Sequence, residues 1–273
     1  MNEKVQVAQL QNISETLLIP LWARAVESER TDAIVRDEKA KEMVSAIAYD
    51  FSLFEKSWLS QVGVSIRTKI LDDETRKFID DHREPVIINI GAGLDTRFER
   101  LDDGRVRWYD LDLSETIEIR RNFFKETERY RMISGSVFDY SWVNKVAEVQ
   151  GQVLIIAEGI LMYFYEQDIR SLFNVLADRF PDAVMLFEML APFLVGKAKR
   201  HEAVKKVPGA EFRWSMKNAR GMESWHAGIT VEKEWNYFDF YPKRWGWMRF
   251  PARIPVFRRM MNNRIVRLSF GRS

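Results

Sequence analysis

Between residues 86 and 188, short apolar runs alternate with stretches of helical period, a rhythm that leaves few folds other than a parallel sheet covered by helices on both faces. The runs predict strands at 86–90, 106–110, 130–134, 153–158 and 183–188, and helices at 97–101, 113–128 and 166–180. Two later stretches, ITVEKEWNYFDF and NRIVRLSF, share the strand pattern. They would complete a mostly parallel seven-stranded sheet with one antiparallel strand. The first eighty or so residues follow another period. Trp22, Ala23, Val26 and the segment AKEMVSAIAYDF recur at three and four, and LDDETRKFIDDH opens with acids suited to a helix N-terminus. The expected organisation is an N-terminal helical cap over residues 1–84 and an α/β core over residues 85–273, in one compact unit.

The first predicted strand runs directly into two glycines, in VIINIGAGLDTRFERL. Gly91 and Gly93 at the start of a helix let a ligand approach backbone N–H groups at the carboxyl edge of the sheet. A dinucleotide fingerprint calls for a third glycine where Thr96 stands, and for a site near the beginning of a Rossmann domain, whereas here a long helical section precedes it. Both points argue against NAD. Asp112, at the end of WYDLDL, is placed to accept hydrogen bonds from both hydroxyls of a ribose, in NAD and S-adenosylmethionine alike. On these residues alone a nicotinamide cofactor, a sulfonium cofactor and a ligand-free tight turn all fit.

Composition removes other chemistries. The chain has no cysteine, hence no disulfide, thiolate nucleophile or zinc–thiolate site, and its histidines, His82, His201 and His226, lie far apart. No metal is expected. No run of eighteen apolar residues and no charged-then-apolar leader occurs, so a cytoplasmic protein without a membrane partner is expected. Charge is unevenly divided: from Phe193 onward 18 Lys/Arg face 6 Asp/Glu, giving +12 against −10 in the rest. A solvated face is the ordinary meaning of such a bias, and an anionic small substrate, an acidic surface or nucleic acid are the alternatives.

Four segments in order, GVSIRTKILDDETRKFI, INIGAGLDTRFERL, WYDLDLSETIEIRR and AEGILMYFYEQDIRSLF, make the chain resemble the leucine carboxyl methyltransferase family, in its bacterial branch of polyketide O-methyltransferases. The resemblance implies a Rossmann-like class I methyltransferase fold and S-adenosylmethionine as cofactor. It also implies roles. Arg67 matches an arginine that reaches from the cap to the cofactor's carboxylate; Gly91, Ala92, Gly93 and Asp95 match the loop around its methionine part; Asp112 matches the ribose-binding acid. Glu158, followed by Gly159, matches a cofactor-contacting glutamate, and Tyr163 lies beside it at the floor of the site as the candidate catalytic residue. Where the family offers an acid for the adenine amino group, this chain has Ser136, with Val137 beside it, leaving the Val137 backbone or Asp139 for that contact.

The implied acceptor is a small molecule, anionic and partly aromatic, rather than a nucleic acid. A carboxylate is ionised at neutral pH and needs no general base, whereas a hydroxyl needs one within hydrogen-bond reach. The acceptor pocket is expected from the aromatic and basic segment LAPFLVGKAKRHEAVKKVPGAEFRWSMKNARGMESW, with His226 the one histidine near it.

Overall fold

The computed structural model describes residues 5–6, 14–147, 150–198, 204 and 211–271. The N-terminal part contributes α1 (Leu18–Ser28), α2 (Glu38–Ala46) and α3 (Trp58–Asp81), and a two-residue parallel pair of β1 (Val5–Gln6) with β2 (Ile47–Ala48). The remainder builds one sheet from β3 (Pro85–Ile90), β4 (Arg107–Asp112), β5 (Tyr130–Ser134), β6 (Gln152–Ala157), β7 (Val184–Met189), β8 (Ile229–Asn236) and β9 (Arg264–Phe270). Their order is β5-β4-β3-β6-β7-β9-β8. β9 alone runs against its neighbours, inserted between β7 and β8, so the sheet is seven-stranded with one antiparallel member. Among the described residues no helix is long and apolar enough to cross a membrane.

Alternation along the strands sends successive residues to opposite faces, which makes two hydrophobic layers. Val86, Ile88 and Ile90 face one layer with α7 (Glu166–Arg179), through Ile169, Leu172 and Phe173. Ile87 on β3, with Leu154 on β6 and Leu186 on β7, faces the other layer, whose cover is α1 and α3 through Leu18, Leu21, Ile66, Ile70 and Phe78. The N-terminal helices therefore form the lid of one sheet face.

Three local expectations change. The segment AKEMVSAIAYDF is helical only to Ala46, because Ile47 and Ala48 pair with β1 as a strand. The acids of LDDETRKFIDDH do not begin a helix, because α3 runs unbroken from Trp58 and places Asp72 in mid-helix as a partner for Arg97 and Arg100. The helix expected at 113–128 ends early, as α5 (Ser114–Arg120). Arg120 is drawn inward to Asp110 and Tyr130, with the buried Phe124 ring over its guanidinium at 4.5 Å, and the chain turns there. Part of the charge division is settled within the fold. Arg244 holds Glu27 at 2.6 Å and Arg267 holds Glu74 at 3.4 Å, joining basic C-terminal sequence to acidic N-terminal sequence.

Candidate active site

The carboxyl ends of β3 to β7 open onto a cavity of about 630 Å3, and eleven of the residues named from the sequence border it, namely Arg67, Gly91, Ala92, Gly93, Asp95, Asp112, Ser136, Val137, Glu158, Gly159 and Tyr163, whereas Asp139 and His226 do not. That is the size range of small-molecule sites. Gly91 adopts φ +66°, and a Cβ there would lie 2.3 Å from Cδ1 and 3.0 Å from Cβ of Ile160. Only glycine suits that position. The loop's N–H groups, however, are not free for a ligand. Those of Gly91 and Ala92 donate to the Leu111 carbonyl at 2.8 and 3.1 Å, and that of Gly93 donates to Asp112 at 2.7 Å. The glycines supply the turn and clearance, while hydrogen bonds to β4 lock the loop.

Arg67, on α3, crosses to the sheet. Its Nη2 lies 2.7 Å from Glu158, just after β6, and its Nη1 lies 2.6 Å from Glu188 in β7. Asp72 and Asp73, on the same helix, are not its partners, since Asp73 takes Lys69 and Asp72 takes Arg97 and Arg100. Arg97, fully buried, binds Asp72, Asp95 and Glu158 at 2.5–2.7 Å. Burial pushes the Asp95 carboxyl up against the pull of Arg97. At Glu158 burial also pushes upward, but Arg67 and Arg97 outweigh it and hold the carboxyl well below the usual glutamate range. Arg97 and Glu188 were not selected from the sequence. Arg97 stands inside GAGLDTR, and its place two residues after the loop acid Asp95 is the signal that was available; Glu188 gave none, being one acid in a strand.

The two acids of β4 divide their work. Asp112 borders the cavity and accepts from Gly93 N and Leu113 N, both at 2.7 Å, while burial pushes its carboxyl up. Asp110 points into the protein, where Trp108, Tyr130, Asn89 and Arg120 surround it. Asp112→Ala is therefore expected to weaken S-adenosylhomocysteine binding by about 1–3 kcal/mol, the usual worth of a lost hydrogen bond with its partner left unsatisfied. Asp110→Ala is expected to lower the thermal midpoint while the folded fraction keeps its affinity. Calorimetry beside thermal melts checks both, and a larger affinity loss in Asp110→Ala would reverse the assignment.

Past β5 the chain reaches the cavity with Ser136, Val137 and Phe138. Ser136 Oγ accepts from Phe138 N, whereas Asp139 receives the Ser141 N–H and does not border the cavity. Tyr163, packed against Phe212 with ring centres 5.7 Å apart, is pushed up to about 12 by burial, with a Thr16 hydrogen bond opposing. It keeps its proton at neutral pH. His226 is not near the pocket: its Nε2 meets Asp178 at the far end of α7 and its Nδ1 accepts from Gly228 N. His201 lies outside the described residues, as do 199–203 and 205–210 of the expected acceptor segment. The described part contributes Leu190, Leu194, Val204, Phe212 and Arg213. More of the wall comes from sequence not selected for it, Tyr237, Phe238, Trp245, Met248 and Met261, which the topology returns to the cavity after β8.

A family model for leucine carboxyl methyltransferase matches residues 18–177. The tetracenomycin polyketide synthesis O-methyltransferase of Streptomyces glaucescens is 29% identical over 235 residues, 86% of each chain. An S-adenosyl-L-methionine-dependent methyltransferase of Gibberella zeae is 26% identical over 265 residues, 88% of each chain. Among solved structures, a DUF574 family protein from Streptomyces avermitilis superposes with a TM-score of 0.60 at 11% identity, covering 95% of this chain and 99% of its own. This last likeness concerns the fold.

Proposed function

The chain belongs to the leucine carboxyl methyltransferase family, and on that premise we propose that it transfers a methyl group from S-adenosylmethionine to an oxygen, a carboxylate before a hydroxyl, of a small, partly aromatic acid of polyketide type. The observation that carries this reading is the meeting, around one cavity, of Arg67 from α3, the Gly91–Gly93 loop, Asp112 and Glu158, with an apolar chamber beside them. Bound S-adenosylmethionine supplies an activated methyl on a sulfonium.

The residues fit that group. Asp112 is assigned to the ribose hydroxyls, Asp95 and Glu158 to the cationic end, and Ser136 and Val137 to the adenine side. Arg67 borders the cavity with a buried Nε–H that has no hydrogen-bond partner among the described residues, a donor suited to a carboxylate. Leu17, Leu59, Phe212, Phe238 and Trp245 keep water from the acceptor, and holding the acceptor oxygen in line is worth roughly 7–11 kcal/mol in favourable cases. A carboxylate acceptor is favoured because Asp95, Asp112 and Glu158 are assigned to the cofactor and the other titratable groups named at the cavity make poor bases. The Tyr163 hydroxyl keeps its proton, and Glu188 is already taken by Arg67, Tyr237 and Asn263. Arg213, at the chamber edge over the ring of Tyr165 at 4.7 Å and in an exposed pair with Glu211 at 3.2 Å, brings a cation that an acid would share.

Calorimetry is expected to show binding of S-adenosylhomocysteine and none of NAD. With labelled S-adenosylmethionine and paired aromatic acids and phenols, the label is expected to enter the acids as a base-labile ester. A base-stable ether as the main product would overturn the carboxylate assignment, and tight NAD binding without response to the sulfonium ligand would overturn the reaction class.

A further inference from the structure

We propose that the segment from Tyr241 to Val256 docks the protein on an anionic lipid bilayer, beside the wall of the acceptor chamber. Tyr241, Trp247, Phe250, Ile254 and Val256 expose 40, 65, 56, 56 and 74% of their surface, and only three other large apolar side chains among the described residues are as open to solvent. They fall in one run of short helices, Pro242–Arg249, Pro251–Arg253 and α8 (Pro255–Met261), each packed on the next. Gly246 makes the arrangement possible. Its φ of +52° reverses the chain between Trp245, which is buried, borders the cavity and donates to the Phe240 carbonyl, and Trp247, which points outward.

Cations interleave with these side chains. After Asp239 the sequence has nine Lys/Arg and no Asp or Glu. Arg244 and Arg258 are paired, with Glu27 and Asp239, but Lys243, Arg249, Arg253 and Arg259 are exposed and have no carboxylate in ion-pair distance among the described residues. Exposed aromatics and aliphatics among arginines suit the headgroup boundary of a membrane, where anionic lipids meet the cations and apolar tips enter without a matching pocket. A second copy is a poor occupant, because a symmetric contact would set the same unpaired cations against each other. Nucleic acid would satisfy the cations but has no use for Ile254 and Val256. Trp245, Met248 and Met261 of the same stretch line the chamber, so docking would bring the chamber to where apolar acids partition. The sequence expectation of no membrane partner rests on the lack of a spanning run, which does not bear on surface docking.

The test is co-sedimentation of the whole protein with phosphatidylcholine vesicles and with vesicles containing about one-third phosphatidylserine. Binding is expected with the second only, weakening as salt rises. The pairs Trp247→Ala/Phe250→Ala and Arg249→Gln/Arg253→Gln are each expected to lower partitioning at least about tenfold. None of the four residues borders the cavity, so unchanged thermal midpoints and S-adenosylhomocysteine affinity certify the variants. Absence of pelleting, equal pelleting with phosphatidylcholine alone, or variants that bind like the wild type would overturn the proposal. So would binding to single-stranded DNA or soluble polyglutamate as strong as to vesicles, or a dimer that shields Trp247.

Discussion

Arg67→Ala is expected to destabilise the protein by about 3–5 kcal/mol, the range for breaking a buried ion pair by removing one partner, and to weaken S-adenosylhomocysteine binding as well. The side chain is only 9% exposed, and its loss leaves Glu188 with neutral Tyr237 and Asn263, and Glu158 with Arg97 alone. The pH dependence follows from the depressed Glu158 carboxyl, which contributes stability above its ordinary value of 4.5 and loses it as pH falls. The gap between wild type and variant should therefore be widest near neutrality and narrow below about pH 4.5. Urea unfolding across pH measures this. Lys69→Ala provides the contrast, because its pair with Asp73 is exposed, at 38% and 56%, and costs at most about 1 kcal/mol. Arg67→Lys should recover part of the stability but not the two-carboxylate fork. If Arg67→Ala melts and binds like the wild type, Arg67 has no part in the site.

Asp37→Ala is expected to cost on the order of 3–5 kcal/mol, and to loosen the glycine loop although Asp37 does not border the cavity. Its carboxylate is wholly buried between Arg24 and Arg100, both at 2.8 Å, accepts from Thr96 Oγ1 at 2.5 Å, and caps α2 through Ala40 N at 2.9 Å. Arg24, left without it, also holds the Leu94 carbonyl inside the loop. Burial pushes the Asp37 carboxyl upward, yet Arg24 and Arg100 prevail and bring it down to about 2. Its contribution is complete above 3.8 and drains away as pH drops toward 2, so acid unfolding of the wild type should begin in that window while the variant's stability stays flatter there. Asp37→Asn keeps the cap and should lose less. For a chain of this size the alanine variant's thermal midpoint should fall by on the order of 10 °C. A fall of a degree or two with unchanged ligand affinity would show that the cluster is not needed.

Thr96 illustrates what a sequence conveys and what it withholds. Read locally, it is a missing third glycine and an argument against a dinucleotide; in the fold its hydroxyl ties the loop to Asp37, fifty-nine residues away. The same holds for the β4 acids. Their two-residue spacing puts both on one face of the strand, and only the surroundings assign Asp110 to Arg120 and Asp112 to the cavity. The strands and most helices were legible because period and turn residues are local properties, written in neighbours along the chain. The helix at 113–128 was overextended because its end is set by Arg120 reaching a strand, which no local signal records. What the sequence determined by itself was the alternating sheet and the glycine corner, and its resemblance to the family supplied the eleven residues that border the cavity. What the tertiary structure decided was the use of their polar groups: loop N–H groups already bonded to β4, Arg67 shared between Glu158 and Glu188, the latter 121 residues away, and a chamber wall returned from beyond β8. Hydrogen bonds and ion pairs of that kind depend on which charges become buried together, and burial is a property of the packed molecule and not of the chain.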